Sequence, residues 1–208
     1  MMLVIGLTGG IGMGKSAAAE HFARRGVPVF NADACVHRLY DGEAVGPIEA
    51  AFPGATRGGK VDRKLLSEKL AGPQARLKEL EAIVHPMVVA AEIDFLIEQE
   101  DAGAKLAALE IPLLFETGAE QRVDVTIALT APAHVQRERV LARPGMTVDK
   151  LEHLLVRQLS DAERRARADY LVDSGMSLED MHEALDKLIE SLHKREGRVM
   201  QRLRLRQR

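Results

Sequence analysis

Residues 9–16, Gly-Gly-Ile-Gly-Met-Gly-Lys-Ser, constrain this chain more than any other stretch, because four glycines fall within six residues between an apolar run and a helix former. The run Leu3 to Leu7 has the unbroken apolarity of a strand buried on both faces. "SAAAEHFARRG" then reads as a helix ending at Gly26, and "VPVF" as a second short strand. Strand, turn, helix and strand in that order make a βαβ unit, which predicts a parallel sheet with a right-handed crossover. The spacing of the turn is G-x-x-x-x-G-K-[ST]. Glycine admits positive φ and leaves no Cβ between backbone N–H groups and a ligand, so such a turn and the helix start behind it form an anion cradle. Gly9, Gly10, Ile11, Gly12, Met13, Gly14, Lys15, Ser16 and Ala17 are the candidate triphosphate site. In it Lys15 serves as a point charge toward the β/γ oxygens and Ser16 offers a hydroxyl to Mg²⁺.

A length of 208 residues allows one domain with insertions. From Ala34 to about Gly103 the apolar residues take helical spacing, interrupted at "DGE", "FPGATRGG" and "AGP", with no strand expected. Leu77, Leu80, Ile83 and Val84 share a helical face that should stop at His85, with Pro86 opening the next helix. Strands return in "KLAALEI" and "VDVTIAL". Helices follow over about 134–143 and 149–158, and Ser160 with Glu163 makes a capping box for an arginine-rich turn. "DYLV" is the last strand. Ser177 with Asp180 then opens a helix on which Leu178, Met181, Leu185, Leu188, Ile189 and Leu192 share one face.

Charge and cysteine content narrow the function classes. The formal charge is −2, but the last fifteen residues carry seven bases and one acid, a local +6 against about −8 elsewhere. Cations past a helix end and an unstructured terminus account for such a tail without nucleic acid or membrane, and neither partner is expected. Cys35 is the single cysteine, so no internal disulfide forms and a reducing compartment fits. The opening "MMLVIGL" is too short to span a bilayer and lacks a basic leader region, which points to the cytoplasm. The sole asparagine, Asn31, is followed by Ala32, so the N-K-x-D pattern of guanine-selecting switches is missing.

Three further features fit phosphoryl chemistry. Asp33 lies just past the second strand, and in an open parallel sheet the C-terminal strand ends form the ligand edge, so Asp33 is expected to face the γ-phosphate. The competing reading of Asp33 is a helix cap. Gln136, Arg139 and Arg143 recur at i, i+3 and i+7, and Arg157, Arg164, Arg165 and Arg167 follow. An arginine-rich helical segment between two strands suits a lid that screens charge and excludes water, with Arg139 the phosphate contact; for most of the others a solvated face is the simpler reading. His85, before a proline, is read either as a structural histidine or as a substrate contact.

Taken in order, "IGLTGGIGMGKS", "NADA", "VDRKLL", "LEAIVHP", "IPLLFETG", "VQRERVLAR", "RQLS" and "ADYLVDSG" resemble the dephospho-coenzyme A kinases along nearly the whole chain. The resemblance implies a three-layer α/β P-loop NTPase core with a parallel five-stranded sheet. To this it adds a helical substrate-domain insertion over 34–103 and a helical lid over 134–168. It implies transfer of the ATP γ-phosphate to the ribose 3′-hydroxyl of dephospho-CoA, with Mg²⁺. By position, Asp33 becomes the base, Lys15 and Arg139 act on the triphosphate, and Thr8, His85, Pro112, Leu113 and Leu114 enclose the acceptor. Three positions depart from the family pattern: Ala17 follows Lys-Ser where a threonine is usual, Asn31 stands where the family has Asp, and Asp173-Ser174-Gly175 replaces a loop that usually carries Asn. The same core would serve a nucleoside monophosphate kinase, and an ATP-binding regulatory protein is the non-enzymatic alternative.

Overall fold

In the computed structural model, which describes residues 1–71 and 74–206, β1 (Leu3–Gly9) is buried along its whole length. It is buried because it has a parallel neighbour on each side: β5 (Leu106–Glu110), with Leu3 opposite Leu106, and β6 (Val125–Thr130), with Ile5 opposite Val125. With β2 (Val29–Asn31) and β7 (Tyr170–Asp173) the sheet has the order β2-β5-β1-β6-β7. The expected five-stranded parallel sheet is therefore present. Alternate residues Leu3, Ile5 and Leu7 share a core with Ala18, Ala19 and Phe22 of α1 (Lys15–Arg24) and with Met181, Leu185, Ile189 and Leu192 of α9 (Leu178–Leu192). Fully burying a side chain the size of Phe22 contributes about 1.5–3 kcal/mol, so α1, and the turn that feeds it, is seated firmly on the sheet.

The end of α1 follows from Gly26. Its φ of 77° lets Gly26 N–H reach Ala23 O and Val27 N–H reach Phe22 O, each at 3.0 Å, the paired bonds of a Schellman stop. Beyond the sheet strands come α6 (Ala133–Leu141), α7 (Val148–Leu155) and α8 (Asp161–Arg167), the last opened by the expected reciprocal capping box between Ser160 and Glu163. The described residues divide into two compact units, Met1–Phe30 with the chain from Leu96 onward, and Asn31–Phe95.

The second unit holds α2 (Ala32–Tyr40), α3 (Val45–Ala51), α4 (Arg63–Leu70) and most of α5 (Gln74–Asp101). It also holds a strand pair that apolar spacing did not reveal, β3 (Thr56–Arg57) with β4 (Lys60–Val61). Gly58 and Gly59, at φ 60° and 77°, supply the left-handed turn a two-residue hairpin needs, so the glycine pair was the available signal. A second correction concerns Pro86. The expected break does not occur, and α5 runs for 28 residues with Pro86 inside it. Proline removes only the bond to the Ala82 carbonyl, while Leu80, Val84 and Val88 stay buried on one face across it, and that packing outweighs the local loss. Of the break read at "AGP", Gly72 and Pro73 lie outside the described residues.

The basic terminus is also ordered, contrary to the sequence reading, and forms α10 (Val199–Arg206). The Asp124 carboxylate accepts from the N–H groups of Arg198 and Val199 at 2.6 and 3.0 Å and from Val4 N–H at 2.9 Å, joining the helix start to β1. Val199 and Met200 are buried, and Arg204 pairs with Glu100 and Asp101. Part of the tail's charge is thus spent inside the fold.

On α9, Asp186 staples the helix to α1. Its carboxylate accepts from Arg25 Nε at 2.7 Å and lies 2.6 Å from His21 Nε2. The bonds from Arg25 and His21 hold its carboxyl down at about 2, below the ordinary 3.8. A depressed folded-state value means a contribution present above pH 3.8 and lost as the pH falls through about 2. Asp186→Asn should therefore melt below wild type at pH 6, with the gap closing as both are titrated toward pH 2; melting curves by circular dichroism across that range check it.

Candidate nucleotide site

The turn after β1 takes its shape from three glycines at positive φ: Gly9 at 154°, Gly12 at 77° and Gly14 at 79°. Met13 N–H donates to Gly10 O at 3.1 Å and closes the first bend. Gly14 occupies the N-cap position of α1 and, having no side chain, makes no cap bond to the first-turn amides. A helix start without a side-chain cap, wrapped by a bare backbone, has the positive polarity that favours an anion. Lys15 Nζ curls over the turn and donates to Gly9 O at 2.7 Å.

These residues open onto a cleft of about 320 Å³. Gly14, Lys15, Ser16 and Ala17 form its floor, Arg139 and Arg143 one wall, and Met176, Leu178 and Met181 another. Met176 and Leu178 are exposed, an apolar pair beside a cationic floor, suited to a flat base attached to a phosphate chain. Leu178, which shares a helical face with the buried Met181 and Leu185, is itself exposed. It occupies the first turn, where the helix face has already left the sheet.

Arg139 is held by a residue that spacing did not single out. Its guanidinium donates to Ser174 O at 2.6 Å and to Ser174 Oγ at 3.2 Å. Ser174 Oγ lies 3.0 Å from Met13 O and 3.1 Å from Thr130 O, and Ser174 N–H donates to Thr130 O at 2.7 Å. One serine therefore ties the end of β6, the glycine turn and the α6 arginine together. Its only sequence signal is its place just past the last strand, at the ligand edge of a parallel sheet. The buried Glu110 closes β5 at the same edge, in register with Leu7.

The remaining candidates separate. Thr8 is buried and its hydroxyl donates to Pro112 O at 3.2 Å, so these two residues are brought together in the first unit. Pro112 and Leu113 are half-buried. Leu114 is fully buried, with its Cδ2 3.1 Å from where a Cβ on Gly6 would stand, and it supports the loop from within the core. Asp33 and His85 belong to the Asn31–Phe95 unit, and both are exposed. Asn31, not Asp33, caps α2, its Oδ1 accepting from Ala34 N–H at 2.7 Å, so the capping explanation for Asp33 falls away. Gln136 and Arg164, expected on solvated or cleft-facing stripes, are instead buried.

Against known proteins, the profile of the dephospho-CoA kinase family (CoaE) matches residues 3–180. A dephospho-CoA kinase of Rhodopseudomonas palustris is 53% identical over 193 residues, covering 93% of this chain and 97% of that protein. A crystal structure from Thermus thermophilus superposes with a TM-score of 0.81 at 36% identity, covering 92% of this chain and 98% of that one. At fold level the chain also matches a dephospho-CoA kinase from Campylobacter jejuni, with a TM-score of 0.63 at 22% identity over 91% of this chain and 96% of that one.

Alanine at Gly12 would carry its Cβ to 2.6 Å from Val140 Cγ2 and 3.1 Å from Gln136 O at a φ of 77°. Backbone strain of this kind costs about 1–3 kcal/mol, so Gly12→Ala should bind ATP between about fivefold and a hundredfold more weakly. Titration calorimetry measures it, and wild-type affinity would remove Gly12 from the cradle.

Proposed function

The chain belongs to the dephospho-CoA kinase family, and we propose that its cleft binds ATP and delivers the γ-phosphate to the ribose 3′-hydroxyl of dephospho-CoA, releasing ADP and CoA. The observation that carries the ATP half is the uncapped start of α1 behind three positive-φ glycines, with Lys15 and Arg139 on the same cleft. The family supplies the acceptor.

In this reaction the 3′-oxygen bonds to the γ-phosphorus while the bond from that phosphorus to the β–γ bridging oxygen breaks. Asp33 takes the hydroxyl proton and orients the oxygen in line. Lys15 and Arg139 stabilise the charge that spreads over the phosphoryl oxygens, and α6 to α8 form the lid that keeps water from competing as acceptor. Ser16, exposed on the cleft floor beside Lys15, offers a hard oxygen of the kind Mg²⁺ favours when it arrives on phosphates, and the ion would neutralise triphosphate charge there. His85 and the Thr8–Pro112–Leu113 region would contact the acceptor. Both substrates are small molecules, a cytoplasmic location fits, and among the described residues no helix is long and apolar enough to cross a membrane.

An acceptor panel decides the substrate. ADP release from MgATP should require dephospho-CoA and should not occur with AMP or CMP; turnover on those nucleotides alone would make the chain a nucleoside monophosphate kinase. ATP binding without ADP release on any acceptor would make it a regulatory protein. Within the assay, Asp33→Asn should keep ATP affinity and lose about 10²–10⁴-fold in kcat, the usual weight of general-base assistance. Unchanged turnover would take Asp33 out of the mechanism.

A further inference from the structure

The two peptide groups that flank Ile11 are gripped from outside the nucleotide cleft. Ile11 N–H donates to Gln158 Oε1 at 3.1 Å, and Ile11 C=O accepts from Gln136 Nε2 at 2.9 Å. The backbone partners fix which end of each carboxamide is oxygen and which is nitrogen. Gln136 comes from α6, and Gln158 from the segment between α7 and α8. Neither glutamine lines the cleft, whose wall on the turn begins at Gly12.

Gln158 is held in its turn. Its chain neighbour Leu159 donates its N–H to Glu116 Oε1 at 2.8 Å, and Leu159 O accepts from Arg164 Nη1. Arg164 is 3% exposed, and its Nη2 lies 2.9 Å from the point a Gly10 Cβ would occupy. Gln136 Nε2 and Gln158 Oε1 approach the same point to 3.2 and 3.3 Å. Gly10 has a φ that any residue tolerates, so this polar convergence, and not backbone conformation, is what keeps position 10 bare.

We propose that Gln136 and Gln158 are positioning residues for phosphoryl transfer. Each fixes one peptide plane of the turn, and the two planes set the direction in which the following amides, Gly12 to Gly14, meet the triphosphate. Glu116 and Arg164 hold Leu159, the residue next to Gln158, so the α7–α8 segment and the glycine turn form one hydrogen-bonded unit. The inference rests on the kinase reading for its catalytic consequence.

The test uses the full chain, with kcat and the KM values for ATP and dephospho-CoA measured, and amide exchange at Ile11 measured without substrate. Gln158→Ala removes the acceptor. It should lower kcat by about 10–100-fold, the cost of displacing a reacting group by an ångström or less, with KM for dephospho-CoA within about threefold of wild type. It should also speed exchange of the Ile11 amide. Gln158→Glu keeps an acceptor oxygen beside Arg164 and should retain most of kcat and the slow exchange. Gln136→Glu replaces a donor by an acceptor facing a carbonyl, and should lose as much as Gln158→Ala. Wild-type kcat in Gln158→Ala, equal damage in Gln158→Ala and Gln158→Glu, or full activity in Gln136→Glu would each overturn the proposal. Should Gln158→Ala fail to fold, the opposite fates of the two glutamate variants decide it. Should wild type itself not phosphorylate dephospho-CoA, the kinase reading fails, while the exchange rates still judge the clamp.

Discussion

The start of α1 has no side-chain cap, and the rest of the first unit is arranged so that this deficit faces a ligand. A helix often satisfies its first amides with a Ser, Thr, Asp or Asn side chain at the N-cap, worth only about a few tenths of a kcal/mol more than a glycine there. Gly14 offers no such side chain, an arrangement that favours an anion at the helix start. The arrangement holds because α1 cannot slide away: Phe22, Ala18 and Ala19 are locked against β1 and α9, and Gly26 stops the helix at a set length. Apolar packing determines where the amides stand, and the missing cap determines what they seek.

Position alone does not orient a glycine-rich turn, since each glycine adds backbone freedom. Orientation comes from polar contacts between residues far apart in the chain. Ser174 reaches Met13 O across 161 residues, Gln158 reaches Ile11 across 147 and Gln136 reaches it across 125. They approach the turn from α6, from the α7–α8 segment and from the loop after β7. Arg139 is fixed by the same contacts, because Ser174 bonds both the arginine and the turn.

This division explains what could be read in the sequence. Local periodicity and capping chemistry are encoded within a few residues, so the β1–turn–α1 unit, the Schellman stop at Gly26, the capping box at Ser160 and the five parallel strands were all legible. Features decided by a tertiary balance were not. Pro86 looks like a break until the face carrying Leu80, Val84 and Val88 is seen to pack on both sides of it. The arginine-rich terminus looks solvated until Asp124 is found capping it from the start of β6. The β3–β4 pair is too short for apolar alternation to register, and only Gly58-Gly59 marks it. In the candidate site a motif and a helical stripe pointed to Gly12–Ala17 and Arg139, and these residues do line one cleft. Ser174 and Gln158 fall in the segments "ADYLVDSG" and "RQLS", but their contacts could not be read from sequence, because a polar residue in a loop has no periodicity and its partner on the turn lies more than a hundred residues away.

The same logic separates two kinds of arginine in a segment that composition treats as uniform. Arg139 and Arg143 are exposed on the cleft wall, where a guanidinium can change partners from protein to phosphate. Arg167 lies over the Phe115 ring at 4.8 Å and pairs with Glu120, and Arg164 is buried on the Leu159 carbonyl, so neither is positioned to leave its place when substrate arrives. Arg139 and Arg143 sit at the exposed mouth of the cleft, whereas Arg164 is desolvated at the start of α8 and Arg167, though exposed, is pinned by its ring and carboxylate partners. A buried guanidinium left without its partners costs several kcal/mol, which gives the α8 root a rigidity that an exposed arginine helix would lack, and that rigidity is what allows a carboxamide at position 158 to hold a peptide plane on the far side of the turn.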